Sequence, residues 1–127
     1  MSEPSPRIAS LLRSAYAAFN SRNIDAALDL MTPDVEWPRA FKGGFVRGPE
    51  AVRAYWTEQW GEIDARVEPI VLLEQGDGRI LVDVRQVVRD PCGTVLADEQ
   101  VGHLFTVKDD LIQRMEVCAS PSARGPE

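Results

Sequence analysis

Apolar residues recur over the first twenty positions at helical spacing. Ile8, Leu11, Leu12, Ala15 and Phe19 form one stripe, with Tyr16 at its edge, because side chains three and four apart share a helix face. Ser5 before Pro6 supplies the start: a hydroxyl to cap free backbone N–H groups, then a residue that needs none. The pattern predicts a helix from Pro6 to about residue 20. A second short helix is predicted over 24–31, with Ala27, Leu28 and Met31 inward and Pro33 closing it. Residues 34–37 read as a short strand. Gly48-Pro49 opens a third helix, on which Val52, Tyr55, Trp56, Gln59 and Trp60 fall at i, i+3, i+4, i+7 and i+8.

After Trp60 the period changes from helical to two-residue alternation. Strands are expected over 65–75, 79–89, 94–107 and 111–119. Their connections are short: Gly76-Asp77-Gly78 is a tight turn, and Asp90-Pro91-Cys92-Gly93 carries the type I signature. The fold class is α+β, three N-terminal helices and then an antiparallel meander, with the helices against one face of the sheet. One domain over 1–127 is the natural count for this length. Its ordered part is expected at about 6–119, and the Pro-, Ser- and Gly-rich ends are expected to be disordered.

Turn geometry sets which strand residues stand opposite one another. If Asp90 and Gly93 bracket a two-residue connection, Asp83 faces Gln100, Arg85 faces Asp98 and Leu81 faces Gly102. If Lys108 pairs with Leu111, Leu104 faces Met115 and Gly102 faces Val117. One sheet face then carries Asp83, Arg85, Asp98, Gln100, Gly102, Leu104, Gln113 and Met115. The other carries Ile80, Val82, Val84, Val88, Val101, His103 and Phe105. A single bulge would exchange part of this set. Hydrophobicity alone sends the valine-rich face to the helices. Both faces hold more apolar residues than a solvated one needs, which implies a partner chain on the face without helices.

The charge balance, 14 basic against 20 acidic residues and a net of −6, disfavours nucleic acid as a partner. No apolar run approaches the roughly 18 residues of a membrane span, and the N-terminus lacks an apolar secretory core. Two cysteines, Cys92 and Cys118, make no disulfide framework and suggest a reducing, cytoplasmic setting. One histidine and two scattered cysteines make no metal cluster. No dinucleotide fingerprint appears, so no cofactor is expected. The glycine-rich "FKGGFVRG" lacks the residue order of a phosphate loop.

The segments "AYAAFNSRNIDAALDLMTPDVEWP", "RGPEAVRAYW" and "VGHLFTVKDDLIQRMEV", in that order over about residues 7–119, resemble the nuclear transport factor 2-like superfamily. That superfamily includes ketosteroid isomerases and SnoaL-like polyketide cyclases. The resemblance implies a cone-shaped α+β barrel, a ligand pocket inside the cone, and a homodimer through the outer sheet face. It further implies that the face with Gly102, Leu104, Met115 and Val117 is the concave one, which puts His103 outside. Ketosteroid isomerases use an Asp base, with a Tyr and a protonated Asp on the oxyanion. Those positions fall here on Trp37, Ala15 (with Tyr16 adjacent) and Gly102. All three groups are absent, so that route to steroid isomerisation is not expected.

On that choice of face, Asp83, Arg85 and Asp98 are the catalytic candidates. A desolvated carboxylate can act as a base near neutral pH, and Arg85 can hold a substrate carboxylate or enolate. The competing reading makes Arg85 and Asp98 a cross-strand ion pair without turnover. If the strand phase is reversed, His103 enters the pocket and becomes the best general base in the chain. Asp34 and Glu36 are expected to be solvated. The pocket wall is expected to include Tyr16, Trp37, Trp56, Trp60, Gln100, Leu104, Gln113 and Met115. The function that follows is small-molecule chemistry: a proton-transfer isomerase or cyclase acting on an apolar carbonyl compound, or a non-catalytic ligand-binding or dimerisation domain of the same fold.

Overall fold

The structure, a computed structural model, describes residues 3–39 and 43–121. Helices α1 (Pro6–Asn20), α2 (Ile24–Leu28) and α3 (Pro49–Glu62) pack on one six-stranded sheet. Its strands are β1 (Met31–Pro38), β2 (Phe45–Arg47), β3 (Asp64–Gly76), β4 (Arg79–Arg89), β5 (Val95–Lys108) and β6 (Leu111–Ala119). They lie in the order β2-β1-β6-β5-β4-β3. Every neighbouring pair is antiparallel except β1 beside β6, which is parallel. The result is the expected α+β cone. No helix among the described residues is long and apolar enough to cross a membrane.

The helices begin where their caps sit. Ser5 Oγ accepts from the Ile8 N–H and Asn23 Oδ1 from the Ala26 N–H, which satisfies donors that a first turn leaves without a partner. Helix α2 stops at Leu28, short of the expected 31, because Met31 has joined the sheet opposite Ile112. The Ile112 N–H donates to the Leu30 carbonyl there. Pro33 therefore lies inside β1. The ladder is irregular between Met31 and Glu36, a place where a residue without an N–H can be tolerated. Strand β2 was not foreseen. Gly43 and Gly44, at φ 76° and 72°, turn the chain back so that Trp37 pairs with Val46. "FKGGFVRG" is thus the connection and second arm of a hairpin, and its Phe41 and Lys42 lie outside the described residues.

The sheet register decides what faces the helices. Strands β4 and β5 pair two residues out of the expected register: Asp83 stands opposite Gly102, Arg85 opposite Gln100 and Leu81 opposite Leu104. The cause is the turn. Asp90 and Thr94, rather than Asp90 and Gly93, close it: the Asp90 N–H donates to the Thr94 carbonyl, and Asp90 Oδ1 accepts from the N–H groups of Cys92 and Thr94. A bulge follows between Val88 and Arg89. An offset of two preserves side-chain parity, so the two faces keep their members.

Strands β5 and β6 start in the expected register, with Lys108 opposite Leu111. A bulge beside Thr106 and Val107 then adds one residue to β6. A one-residue slip sends every later side chain to the other face. Met115 therefore stands opposite Phe105, and Leu104 opposite Glu116.

The face covered by helices is the valine-rich one, which corrects the expected orientation. Ile80, Val82, Val84 and Phe105 are at most 1% exposed and share the core with Leu12, Val35, Val52, Trp56 and Leu72. Each fully buried side chain of this kind stabilises by about 1.5–3 kcal/mol. Turning the sheet over would expose four of them and bury Arg85 and Asp98 instead, so hydrophobicity decides.

The other face is crossed by the chain after β6. A Cβ on Gly102 would lie 2.6 Å from the Ala119 carbonyl oxygen and 2.8 Å from Cys118 Sγ, so the crossing needs a glycine. Ser120, read from composition as part of a disordered end, is instead 1% exposed, and its Oγ donates to Asp83 Oδ1 at 2.6 Å. Residues 1, 2 and 122–127, which belonged to the same reading, lie outside the described residues.

Candidate functional site

A cavity of about 60 Å³ opens at one side of the cone. Helix α1 turns Ala15, Tyr16 and Phe19 toward it, and α3 contributes Tyr55, Trp56 and Gln59. Trp37 closes one wall from β1. The sheet supplies Ala65 and Val67 from β3, Gln86 from β4, His103 and Phe105 from β5, and Met115 from β6. The wall is an aromatic network. Trp37 meets Trp56 edge to face at 5.2 Å between centroids, and Phe105 at 6.3 Å. Tyr16 meets Phe105 edge to face at 5.8 Å. Such contacts fix ring positions beyond their buried area.

Tyr16 and His103 are buried polar members of this wall, each 5% exposed. Tyr16 Oη and His103 Nδ1 are 2.8 Å apart, and the two rings are nearly parallel, at 9°. Burial pushes the tyrosine hydroxyl up and holds His103 down from 6.5 to about 4. Both residues are therefore neutral at physiological pH, since no opposite charge offsets their desolvation. The second imidazole nitrogen, Nε2, has no hydrogen-bond partner among the described residues. A neutral imidazole bonded at one nitrogen offers the other as a donor or an acceptor, according to tautomer.

The residues proposed as catalytic from sequence lie elsewhere. Arg85 and Asp98 form a two-pronged pair on the opposite sheet face, Nε to Oδ1 at 3.1 Å and NH2 to Oδ2 at 2.8 Å, both roughly half exposed. This geometry is that of the cross-strand ion pair offered as the competing reading. The pair holds the Asp98 carboxyl below its ordinary range and the Arg85 guanidinium above its own. Asp83 is buried on that same face under Ser120, near the amide of Gln100. None of the three lines the cavity.

Of the wall residues named from sequence, Tyr16, Trp37, Trp56 and Met115 line the cavity. Met115 arrives there through the β6 bulge. Trp60 packs behind the wall against Trp56 and Phe19, with the Arg22 guanidinium 4.8 Å from the centre of its ring. Gln100 and Leu104 lie on the outer face, and Gln113 is the bulge residue, its amide donating to Asp34 Oδ2. Asp34 and Glu36 stand away from the cavity, Glu36 paired with Arg114 at 2.7 Å. Sequence reasoning missed Gln86 as a site residue, although its signal was present: it is the one polar side chain in the alternation of Val82, Val84 and Val88. Among the described residues no group of three or more His, Cys, Asp or Glu could hold a metal ion.

A cone of helices on a curved sheet, with a cavity lined largely by aromatic rings, is the class of fold that these elements define. The family profile of the SnoaL-like domain matches residues 12–115, and the chain belongs to that family. Among solved structures, TerC co-crystallised with polyporic acid is similar, at 28% identity and TM-score 0.78, over 92% of this chain and 94% of that one. A putative polyketide cyclase from Sinorhizobium meliloti shares 22% identity at TM-score 0.73, over 85% and 93%. A Mycobacterium tuberculosis protein in complex with estradiol-17beta-hemisuccinate shares 16% at 0.77, over 91% and 95%. The last two show the fold alone. Comparison with the curated proteins gives no match.

Proposed function

We propose that the cone takes a small, flat, apolar carbonyl compound and that His103, positioned by Tyr16, moves protons on it, in an isomerase- or cyclase-type reaction. The observation that carries this is the 2.8 Å contact between Tyr16 Oη and His103 Nδ1, set in an aromatic cavity with Nε2 left for a ligand. With the Nδ1–H tautomer, Nε2 removes a proton from the carbon beside the carbonyl. The Nδ1–H, donating to Tyr16 Oη, holds the imidazole in that tautomer. The C–H bond that breaks is replaced by an Nε2–H bond, and the enolate then takes that proton back on its oxygen, which gives the enol, or on another carbon. The imidazolium and the enolate form side by side and offset each other, so no isolated ion persists in the buried site. The enol can take a proton at another carbon, which is isomerisation, or attack a second carbonyl, which is cyclisation.

The similar structure of TerC, co-crystallised with polyporic acid, supports a small organic ligand. A non-catalytic binding role is the second reading, favoured by the lack of any carboxylate base among the described cavity residues. Proton exchange separates the two. A simple neutral ketone, 2-tetralone, is incubated with the protein in D2O and followed by NMR. Exchange at its α-carbon above the uncatalysed rate, lost in His103→Gln, is expected. Binding of the ketone without faster exchange would leave the binding role and reject turnover.

The proposal includes a homodimer through the outer sheet face. Leu73, Leu81 and Leu104 stand side by side across β3, β4 and β5 on that face, and Leu96 on β5 is 59% exposed. An apolar row on a face without helices is what a second copy would cover.

A further inference from the structure

The side chains that line the cavity are, among the described residues, all uncharged. Arg22 is paired with Asp64, Arg114 with Glu36 and Arg85 with Asp98, and none of the six lines the cavity. The buried polar pair of the wall is Tyr16 and His103, and its hydrogen-bonding capacity can be counted. The two side chains hold one O–H and one N–H between them. One proton sits in their shared contact. The remaining proton lies on Nε2 when Tyr16 donates to Nδ1, with an Oη lone pair left to accept. It lies on Oη when Nδ1 donates, with Nε2 left to accept. In either tautomer the pair turns one donor and one acceptor to a ligand and no net charge.

We infer that the cone selects an uncharged ligand presenting a hydroxyl or carbonyl oxygen to Tyr16 Oη or to His103 Nε2, and rejects the carboxylate analogue of the same shape. The inference rests on the small-molecule reading above and narrows it. The two positions lie on opposite sides of the imidazole, so one oxygen meets one of them: a hydroxyl can bond whichever is donor or acceptor, and a carbonyl accepts from whichever carries the free proton. A carboxylate brings a full charge into a wall with no cation to offset it, and loses its hydration on entry. It also has no proton to give to the acceptor that the pair presents. Gln59 and Gln86 are the remaining amides on the wall. They can bond a second neutral oxygen or nitrogen on the ligand but cannot neutralise an anion. The chain's net charge of −6 acts in the same direction at longer range.

The test is a matched pair at pH 7.5, measured by titration calorimetry on the full chain: 2-naphthol, which is neutral there, and 2-naphthoate, which is charged. The expected result is 2-naphthol binding at least about tenfold more tightly, with the advantage reduced in Tyr16→Phe, which keeps the packing of the ring and removes the hydroxyl. Equal binding of the two, or tighter binding of 2-naphthoate, overturns the selection while the pocket itself stands. If neither binds, the small-molecule reading falls and this inference falls with it. If 2-naphthol retains its full advantage in Tyr16→Phe, selection does not come from the pair and the inference is overturned.

Discussion

Tyr16 and His103 come from opposite ends of the sequence, 87 positions apart, and meet at 2.8 Å in the interior of the cone. Helix α1 delivers one and the middle of β5 delivers the other. The contact forms only when the valine-rich face of the sheet turns toward the helices, so it reports the phase of the whole sheet as well as the chemistry of the site. His103 is also the only histidine in the chain, which makes its behaviour separable in solution.

Stability should depend on pH through this residue. In the fold His103 is held down from 6.5 to about 4 by burial, whereas in the unfolded chain it protonates near 6.5. The unfolded state therefore binds the proton first as pH falls. The contribution is complete above about pH 6.5 and is lost progressively down to about pH 4, a span worth about 3 kcal/mol. Urea unfolding of the wild type and of His103→Gln between pH 7.5 and 4.5 measures it. The stability difference between the two should shrink by most of that amount on acidification. A constant difference would place the imidazole in solvent.

Asp83 should matter to the fold and not to chemistry. Its carboxylate accepts from Ser120 Oγ beneath the chain that crosses the outer face. Asp83→Asn is expected to cost about 1–3 kcal/mol by weakening a charged hydrogen bond in a buried place. Any α-proton exchange on 2-tetralone should be unchanged. Loss of exchange in a folded Asp83→Asn protein would return the carboxylate to the active site.

The proposed dimer would form through the outer leucine row. Leu81 stands between Leu73 and Leu104 on neighbouring strands. Leu81→Glu places a charge at the middle of the row and should convert a dimer to a monomer in light scattering, with the circular dichroism of the monomer unaltered. Val101, which the sheet turns toward the core, is the wrong residue for this test.

The elements were largely legible in the sequence because helix and strand periodicity is a local property. The Ser5–Pro6 cap and the α3 stripe are each written in fewer than fifteen consecutive residues. The site was legible only in part. Trp37, Trp56 and Tyr16 carried a compositional signal, and their places in the wall follow from it. Met115 did not, because its direction depends on a bulge at Thr106–Val107 that leaves no mark in hydrophobic alternation, and His103, assigned to the valine-rich face, followed that face when it was put outside. The choice of face was decided by family resemblance over the valine pattern, and the valine pattern was the stronger physical evidence. The β1–β2 hairpin was hidden for another reason: Phe45–Arg47 is three residues long, too short for alternation to register.

The central claim is that a neutral His103, bonded to Tyr16, faces the cavity with Nε2 available. Nitrogen-15 NMR of the single imidazole tests it most directly. The account predicts that the ring stays neutral down to about pH 4 and that its Nε2 resonance moves when 2-naphthol is added. An imidazole that titrates near 6.5 and is indifferent to the ligand would contradict it.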